Sequence, residues 1–146
     1  MGWPIRPAPR LGRRHFGLAT VSVAVVLVGK PAQAGSYLDR ASLLVAQAMQ
    51  ESAYLRRKLY DRELARLIHR LAKARLEAGR QMLVPPEVVQ AHPHLLLMLE
   101  NCERASEAAV AREAREFLKH LQAARDEEEL FRVVLKQLGW SLPGVD

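Results

Sequence analysis

The sequence predicts an all-α protein, an antiparallel bundle of about four helices. Apolar residues after position 36 recur at alternating spacings of three and four, and no stretch shows the period of two expected for a half-buried strand. The chain has only three Phe, three Tyr and two Trp, and its many Ala, Leu, Glu and Arg residues favour helix. Because the predicted connections are short, successive helices should pack antiparallel.

The first helix is predicted to begin at Ser36, since Ser36 and Asp39 have the spacing of a capping box. Its apolar face consists of residues that recur every three or four positions: Leu38, Ala41, Val45, Ala48, Ser52, Leu55 and Leu59. We therefore expect this face to be buried.

A second apolar series, displaced by one residue from the first, predicts the second helix. Its members are Tyr60, Leu64, Leu67, Leu71, Ala74, Ala78 and Met82. A continuous helix would bury Arg62 and Arg66, so the displacement predicts a break near residues 58–61 with Asp61 as the next N-cap. Pro85 and Pro86 should end this helix, because a proline ring obstructs its continuation.

The third helix is predicted to begin at Pro93, because proline suits the first position of a helix. The run Leu95–Leu99 (LLLML) is apolar on every side, so we expect it to be buried all round, at the centre of the core. Cys102, Ala105 and Ala109 continue the inner face towards a turn near residues 111–112.

The last helix carries Phe117, Leu118, Leu121 and Ala124 on its apolar face. At residues 126–129 (DEEE) the apolar face moves to Leu130, Val134 and Leu138, and Asp126 with Glu129 fits a second capping box. We interpret this change as a kink or a split of the last helix. Gly139 should close it.

Residues 1–34 have the three zones of a cleavable export signal peptide: a basic start, an apolar middle and a small-residue exit. The middle, residues 16–28 (FGLATVSVAVVLV), would span about 20 Å as a helix, less than the roughly 30 Å of a bilayer core. Ala32 and Ala34 form the A-x-A pattern that signal peptidase requires, so cleavage should leave Gly35 first and no transmembrane anchor. Residues 35–146 are then a single helical domain, exported and periplasmic.

The leader also resembles a twin-arginine signal, in the pair Arg13-Arg14 followed two residues later by the aromatic Phe16. A middle of modest hydrophobicity and Lys30 just before the exit add to the resemblance. It implies export in a folded state by the twin-arginine machinery. The alternative is a general secretory signal that happens to contain an Arg-Arg pair.

The net charge of +6 belongs mostly to this leader. Five of the 22 basic residues and none of the 16 acidic residues lie within residues 1–34, which leaves 17 basic against 16 acidic residues afterwards. A high isoelectric point is typical of nucleic-acid-binding proteins, but the part of the chain predicted to remain is nearly neutral. We therefore exclude nucleic acid as a partner.

The sequence nominates no catalytic residue and no cofactor-binding residue. One cysteine, Cys102, cannot supply a haem-attachment motif, and neither His69 nor His120 follows a carboxylate by three residues as di-iron bundles require. A site shared by His69, Cys102 and His120 is not expected, because the second helix's predicted phase turns His69 to water. No serine lies in a glycine-rich elbow.

His92 and His94, on either side of Pro93, are the candidate metal ligands. Their functional interpretation is a metal or anion site at a helix start. The other interpretation, which we favour, is a turn and cap, because two histidines are too few ligands for a tight site.

The charge layout is the remaining clue to function. Residues 56–80 hold nine basic and three acidic side chains, and residues 100–129 hold nine acidic and five basic ones. A candidate face for an anionic partner consists of basic residues on one side of the second helix: Arg62, Arg66, Arg70, Lys73 and Arg80. These charges either form a solvated surface or meet an anionic envelope component or an acidic protein.

The sequence therefore predicts an exported cell-envelope protein that is a non-enzymatic binding or interaction module. The alternative is a cofactor- or metal-carrying bundle that is exported folded. Its expected partners in either case include the export machinery and signal peptidase.

Replacing Arg13 and Arg14 together by Lys should leave the uncleaved precursor in the cytoplasm, because the twin-arginine machinery requires the arginine pair. Cell fractionation and N-terminal sequencing measure the outcome, with Arg6→Lys plus Arg10→Lys as the matched control. Normal export of the Arg13/Arg14 variant would assign the protein to the general secretory route instead.

Overall fold

The computed structural model describes the backbone of residues 30–144 and the side chains of residues 33–144. Four helices occupy this range: α1 (Lys30–Arg57), α2 (Arg62–Arg80), α3 (His92–Val110) and α4 (Ala114–Gln137). A short 3₁₀ turn, Pro86–Val88, lies between α2 and α3, and the described range contains no strand. The prediction of an all-α bundle of four helices is confirmed.

Part of the predicted export signal lies outside the described residues, namely Arg13, Arg14 and Phe16 and the side chain of Ala32. Ala34 lies within α1, where its side chain is fully buried. α1 begins at Lys30, so Ser36 lies inside the helix rather than at its N-cap. The predicted start of the first helix is therefore wrong, because residues 30–35 are already helical.

The inner face of α1 and the break after it agree with the sequence pattern. Six of the seven predicted residues are buried, and Leu59 is half-buried. Asp61 caps α2, and its side chain accepts a hydrogen bond from the backbone N–H of Leu64 at 3.0 Å. The capped break lets α1 and α2 form an antiparallel hairpin.

The predicted inner face of α2 is wrong. The structure buries a different stripe of small and branched residues: Ala65, Ile68, Ala72, Leu76 and Gly79. Leu67 and Leu71, which the sequence pattern placed inside, are exposed. The physical reason lies at Gly79, where an added Cβ would stand 2.8 Å from Cδ1 of Leu99 on α3. The missing side chain of Gly79 thus leaves room for Leu99 and Leu96 of α3 against this stripe.

The end of α2 and the start of α3 each differ slightly from the prediction. α2 ends at Arg80, where the backbone N–H of Gln81 donates to the carbonyl of Glu77 and that of Met82 to the carbonyl of Gly79. Pro85 and Pro86 follow in the connection rather than ending the helix. Pro93 is the second residue of α3, within the first turn, where its missing N–H leaves no helical bond unmade.

The apolar run of α3 is not buried all round. Leu95, Met98 and Leu99 are at most 1% exposed, whereas Leu97 is 42% exposed. The difference arises because α3 packs against α1, α2 and α4 and its remaining side faces water. The run Leu95–Leu99 is therefore buried on the sides that face the other three helices and exposed on the remaining side.

The last helix is not split, because α4 is continuous from Ala114 to Gln137. Its inner face keeps one phase throughout, with Phe131 fully buried and Leu130 44% exposed. An acid occupies one inward position of that face: Glu128 is half-buried and accepts a hydrogen bond from Arg132 at 2.6 Å. The apolar periodicity is interrupted at Glu128, but the helix continues through this residue.

The core consists of two apolar clusters stacked along the bundle. The smaller one lies near the α1–α2 and α3–α4 turns and is built on Leu55, Ile68, Phe117 and Leu121 with four alanines. The larger one fills the rest of the bundle and includes members of all four helices together with Leu142 beyond α4. The packing of all four helices into these clusters holds the fold together.

Replacing Leu95 or Leu99 by Ala should lower the free energy of unfolding by about 2–5 kcal/mol, because each removes a fully buried side chain from the core. Leu97→Ala on the same helix is the matched control and should cost less than about 1 kcal/mol. Urea unfolding followed by circular dichroism measures all three. Equal losses at the three positions would contradict the placement of α3.

Candidate functional site

The basic residues predicted on α2 lie on its surface. Arg62, Arg66, Arg70, Lys73 and Arg80 are all exposed. They lie on the α3 side of α2, flanking the buried stripe that ends at Gly79.

The basic residues nearest the end of α2, Lys73 and Arg80, lie beside acidic side chains. A groove between α2 and α3 is lined by three basic and four acidic side chains: Lys73, Arg80, Arg104, Glu77, Glu100, Glu103 and Glu107. Arg104 pairs with Glu100 at 2.6 Å. Because charges of both signs share this groove, it has little net attraction for an anion.

The basic residues nearest the start of α2 lie close to further cations at the end of α1 and in the turn. We call this surface the basic tip, and its members are Arg56, Arg57, Lys58, Arg62, Arg66 and Arg70. All six are exposed. Among the ion pairs of the described residues, one involves the tip, Arg66 to Glu63 at 2.7 Å. The tip is therefore a surface of net positive charge.

Two tyrosines lie among these cations. Tyr60, in the turn between α1 and α2, is 80% exposed. The guanidinium of Arg57 lies 5.7 Å from the ring centroid of Tyr54, within the range of a cation–π contact. The excess of cations over residues 56–80 was predicted from the sequence, but the tip was not separated from the groove, because three of the four acids of the groove come from α3.

The candidate metal ligands His92 and His94 are directed to different helices. Nδ1 of His92 lies 3.0 Å from the hydroxyl of Tyr37 on α1, and Nδ1 of His94 lies 2.8 Å from a carboxylate oxygen of Glu127 on α4. The two imidazoles thus tie the start of α3 to two neighbours. Neither imidazole caps α3, whose N-cap is Ala91 with no side-chain hydrogen bond.

His92 is held in its neutral form. Its partial burial lowers the pKa of the imidazole below the ordinary value of 6.5, because the imidazolium loses hydration. Its position in the first turn of α3 acts in the same direction, since the positive end of the helix dipole disfavours a cation there. Burial likewise raises the pKa of Tyr37 far above its usual range, so its hydroxyl stays a hydrogen-bond donor.

His69 does not face water, which corrects the sequence prediction. Its Nδ1 lies 3.2 Å from Oγ of Ser106 on α3 and 4.0 Å from the carboxylate of Glu103. The cause is the phase of α2, whose buried stripe lies on the side of His69. His120 instead lies beside Asn101, with Nδ1 3.3 Å from the amide oxygen.

The trio Ser106, His69 and Glu103 has the residue types of a hydrolytic triad but not its geometry. In a triad the serine and the acid bond opposite ring nitrogens, whereas here both lie nearest Nδ1 of His69. Ser106 is 1% exposed and donates to the backbone carbonyl of Glu103 at 2.6 Å. The hydroxyl is thus occupied and closed to a substrate.

A polar cluster that the sequence did not reveal lies within the bundle, formed by Glu51, Ser52, Arg75 and Cys102. Arg75 of α2 forms an ion pair with Glu51 of α1, and the other carboxylate oxygen of Glu51 is buried with no hydrogen-bond partner among the described residues. Ser52 is 4% exposed and lies beside the thiol of Cys102.

The Cys102 thiol is chemically quiet. Its burial raises the pKa to about 11, and reactivity belongs to the thiolate. Its sulfur lies 3.8 Å from that of Met98, one turn earlier on α3. Within the described residues no group of three or more His, Cys, Asp or Glu side chains is arranged to hold a metal ion.

None of the helices that the structure describes is long and apolar enough to cross a membrane. In comparisons with known proteins, the chain matches no protein-family model, no curated protein and no solved structure.

The pKa of His92 predicts a pH dependence of stability. The unfolded chain binds a proton at this imidazole at a higher pH than the folded chain does, so the contribution of His92 to stability is present above about pH 6.5 and is lost as the pH falls through the lower folded pKa. The free energy of unfolding of the wild type should therefore decrease more between pH 7.5 and pH 5 than that of His92→Gln.

Urea unfolding at a series of pH values measures this difference, since other titrating groups contribute to both proteins. A difference between the two proteins that does not change with pH would contradict the assignment of a neutral His92.

Proposed function

We propose that this protein is exported to the periplasm and acts there as a non-enzymatic binding module, whose basic tip attaches it to an anionic membrane surface. The observation that carries the proposal is the set of six exposed cations around the α1–α2 turn, one of which is paired with an acid in the described part of the chain. The export signal predicted over residues 1–34 supports the compartment.

The composition of the tip favours lipid headgroups over an acidic protein. Its cations come from the end of α1, the turn and the start of α2, so they surround the end of the helical hairpin. Tyr60 projects from the apex, 80% exposed, and a tyrosine ring is well suited to the boundary between headgroups and water.

The expected attachment is weak and reversible. A basic residue near an anionic surface contributes about 1 kcal/mol, and Asp61 and Glu63 offset two of the six cations. The tip therefore supplies roughly 4 kcal/mol, which corresponds to a dissociation constant near the millimolar range. Salt should weaken the attachment, because exposed charges are screened over about 8 Å at physiological ionic strength.

The alternative function, a cofactor- or metal-carrying bundle, is favoured by the twin-arginine resemblance of the leader alone. Metal analysis and an absorbance spectrum of the protein purified from its own compartment would test it directly.

The membrane proposal is tested with a variant in which Arg56, Arg57, Arg62 and Arg66 are all changed to Gln. Wild-type protein should co-sediment with vesicles of equal parts phosphatidylglycerol and phosphatidylcholine, and the variant should lose most of this binding. Because all four side chains are exposed, each change should alter stability by less than about 0.5 kcal/mol.

The matched control removes the same charge elsewhere, through Arg40, Lys119, Arg125 and Lys136 changed to Gln, all of which are exposed. This control should bind like the wild type. Equal binding by the two variants would show that the tip is not the binding surface. Wild-type binding to polyglutamate but not to the vesicles would assign the tip to an acidic protein instead.

A further inference from the structure

The helix α2 has a second apolar face that the bundle leaves uncovered. We call it the outer face, and its members are Leu67, Leu71, Ala74 and Ala78. Leu67 is 47% and Leu71 40% exposed, and both alanines are exposed as well. Leu43 of α1, which is 57% exposed, lies beside Ala78 and extends the face. Contiguous apolar surface of this kind marks an interaction site.

We propose that the outer face pairs with the outer face of a second copy of this chain, with the two α2 helices antiparallel about a two-fold axis between Leu71 and Ala74. The spacing of the outer face, four, three and four residues, is that of the seam of a coiled coil. A two-fold interface uses the same patch on both copies, so the patch must be complementary to itself.

The outer face is self-complementary in side-chain size. Antiparallel pairing about its centre sets Leu71 of one copy opposite Ala74 of the other, and Leu67 opposite Ala78. Each leucine of either copy then faces an alanine of the other copy. Such alternation lets two helices interdigitate closely without voids.

The charges beside the outer face select the same alignment. Glu63, Arg70 and Glu77 follow one another at intervals of seven residues, so they flank the seam with alternating sign. The antiparallel alignment places Arg70 of each copy near Glu77 of the other, so the interface contains two equivalent Arg70–Glu77 pairs. A parallel alignment would place the flank of Arg70 and Glu77 on opposite sides of the seam in the two copies, so neither pair could form.

The antiparallel arrangement also separates the two basic tips. Each tip lies at the start of α2, so the tips of the two copies lie at opposite ends of the paired helices. A helix of 19 residues is about 28 Å long, several times the distance over which salt screens surface charges. Repulsion between the tips therefore does not oppose pairing.

The proposal is tested by sedimentation velocity on protein purified after expression of the full chain. The wild type should show a monomer–dimer equilibrium within the micromolar range. Leu71→Glu should raise the dimer dissociation constant by roughly 100-fold or more, because it buries an unpaired carboxylate at the centre of the interface. Leu118→Glu is the matched control, since Leu118 on α4 is 47% exposed and Leu71 is 40% exposed, and its dissociation constant should equal that of the wild type.

A charge exchange tests the alignment without disturbing the apolar face. Arg70→Glu and Glu77→Arg alone should each raise the dissociation constant roughly tenfold, because each sets like charges opposite one another. The double variant, which restores both pairs in exchanged form, should return close to the wild-type value. Circular dichroism should show the same helix content in all variants.

A wild type that remains monomeric at 100 µM or above would overturn the proposal. So would equal effects of Leu71→Glu and Leu118→Glu. A double charge variant as weak as the single ones would overturn the antiparallel alignment. The proposal is independent of the membrane proposal, because the mass is measured without any anion and the vesicle-binding variant leaves Arg70 unchanged.

Discussion

The close approach of α2 to α3 at Gly79 governs most of this structure. A Cβ at that position would meet the side-chain ends of Leu99 and Leu96 of α3, so Gly79 leaves room for these two leucines where α2 packs on α3. That contact fixes the rotation of α2 about its axis. The rotation turns His69 towards Ser106, directs Lys73 and Arg80 over the acids of α3, and leaves Leu67 and Leu71 in water.

The buried polar cluster adds a second constraint, on the register of the helices. Removing one partner of a half-buried ion pair such as Arg75–Glu51 leaves the other charge uncompensated, which is costly. A slide of α1 along α2 would separate this pair and take Ser52 away from Cys102. An apolar core alone would tolerate such a slide better, since hydrophobic contact has little directionality. The cluster therefore favours one register of the helices. The high pKa of the Cys102 thiol is a consequence of burial and does not indicate a reactive cysteine.

The surface divides into regions of different physical character because single helices contribute to more than one of them. The same helix α2 supplies the cations of the basic tip, one wall of the mixed groove and the apolar outer face. Where α3 lies alongside, its acids offset the cations of α2. Beyond the end of α3, the cations of the α1–α2 turn have fewer acids around them, and positive potential accumulates there. The tip and the outer face are therefore available for separate partners.

The sequence by itself determined the helical class, the inner face of α1, the break capped by Asp61 and the turn near residue 111. These follow from local rules, because the period of apolar residues and the chemistry of caps act within a few residues of chain. It also determined the excess of cations over residues 56–80, but not where that charge remains uncompensated.

Only the tertiary structure decided which of two apolar stripes on α2 is buried, that Glu128 occupies an inward position of a continuous α4, and that His92 and His94 are directed to different helices. Each of these depends on contacts between residues distant in the sequence. The stripe of α2 that is buried is the one whose Gly79 leaves room for Leu99 and Leu96 of α3, and this fit between two helices cannot be read from the apolar pattern of α2 alone.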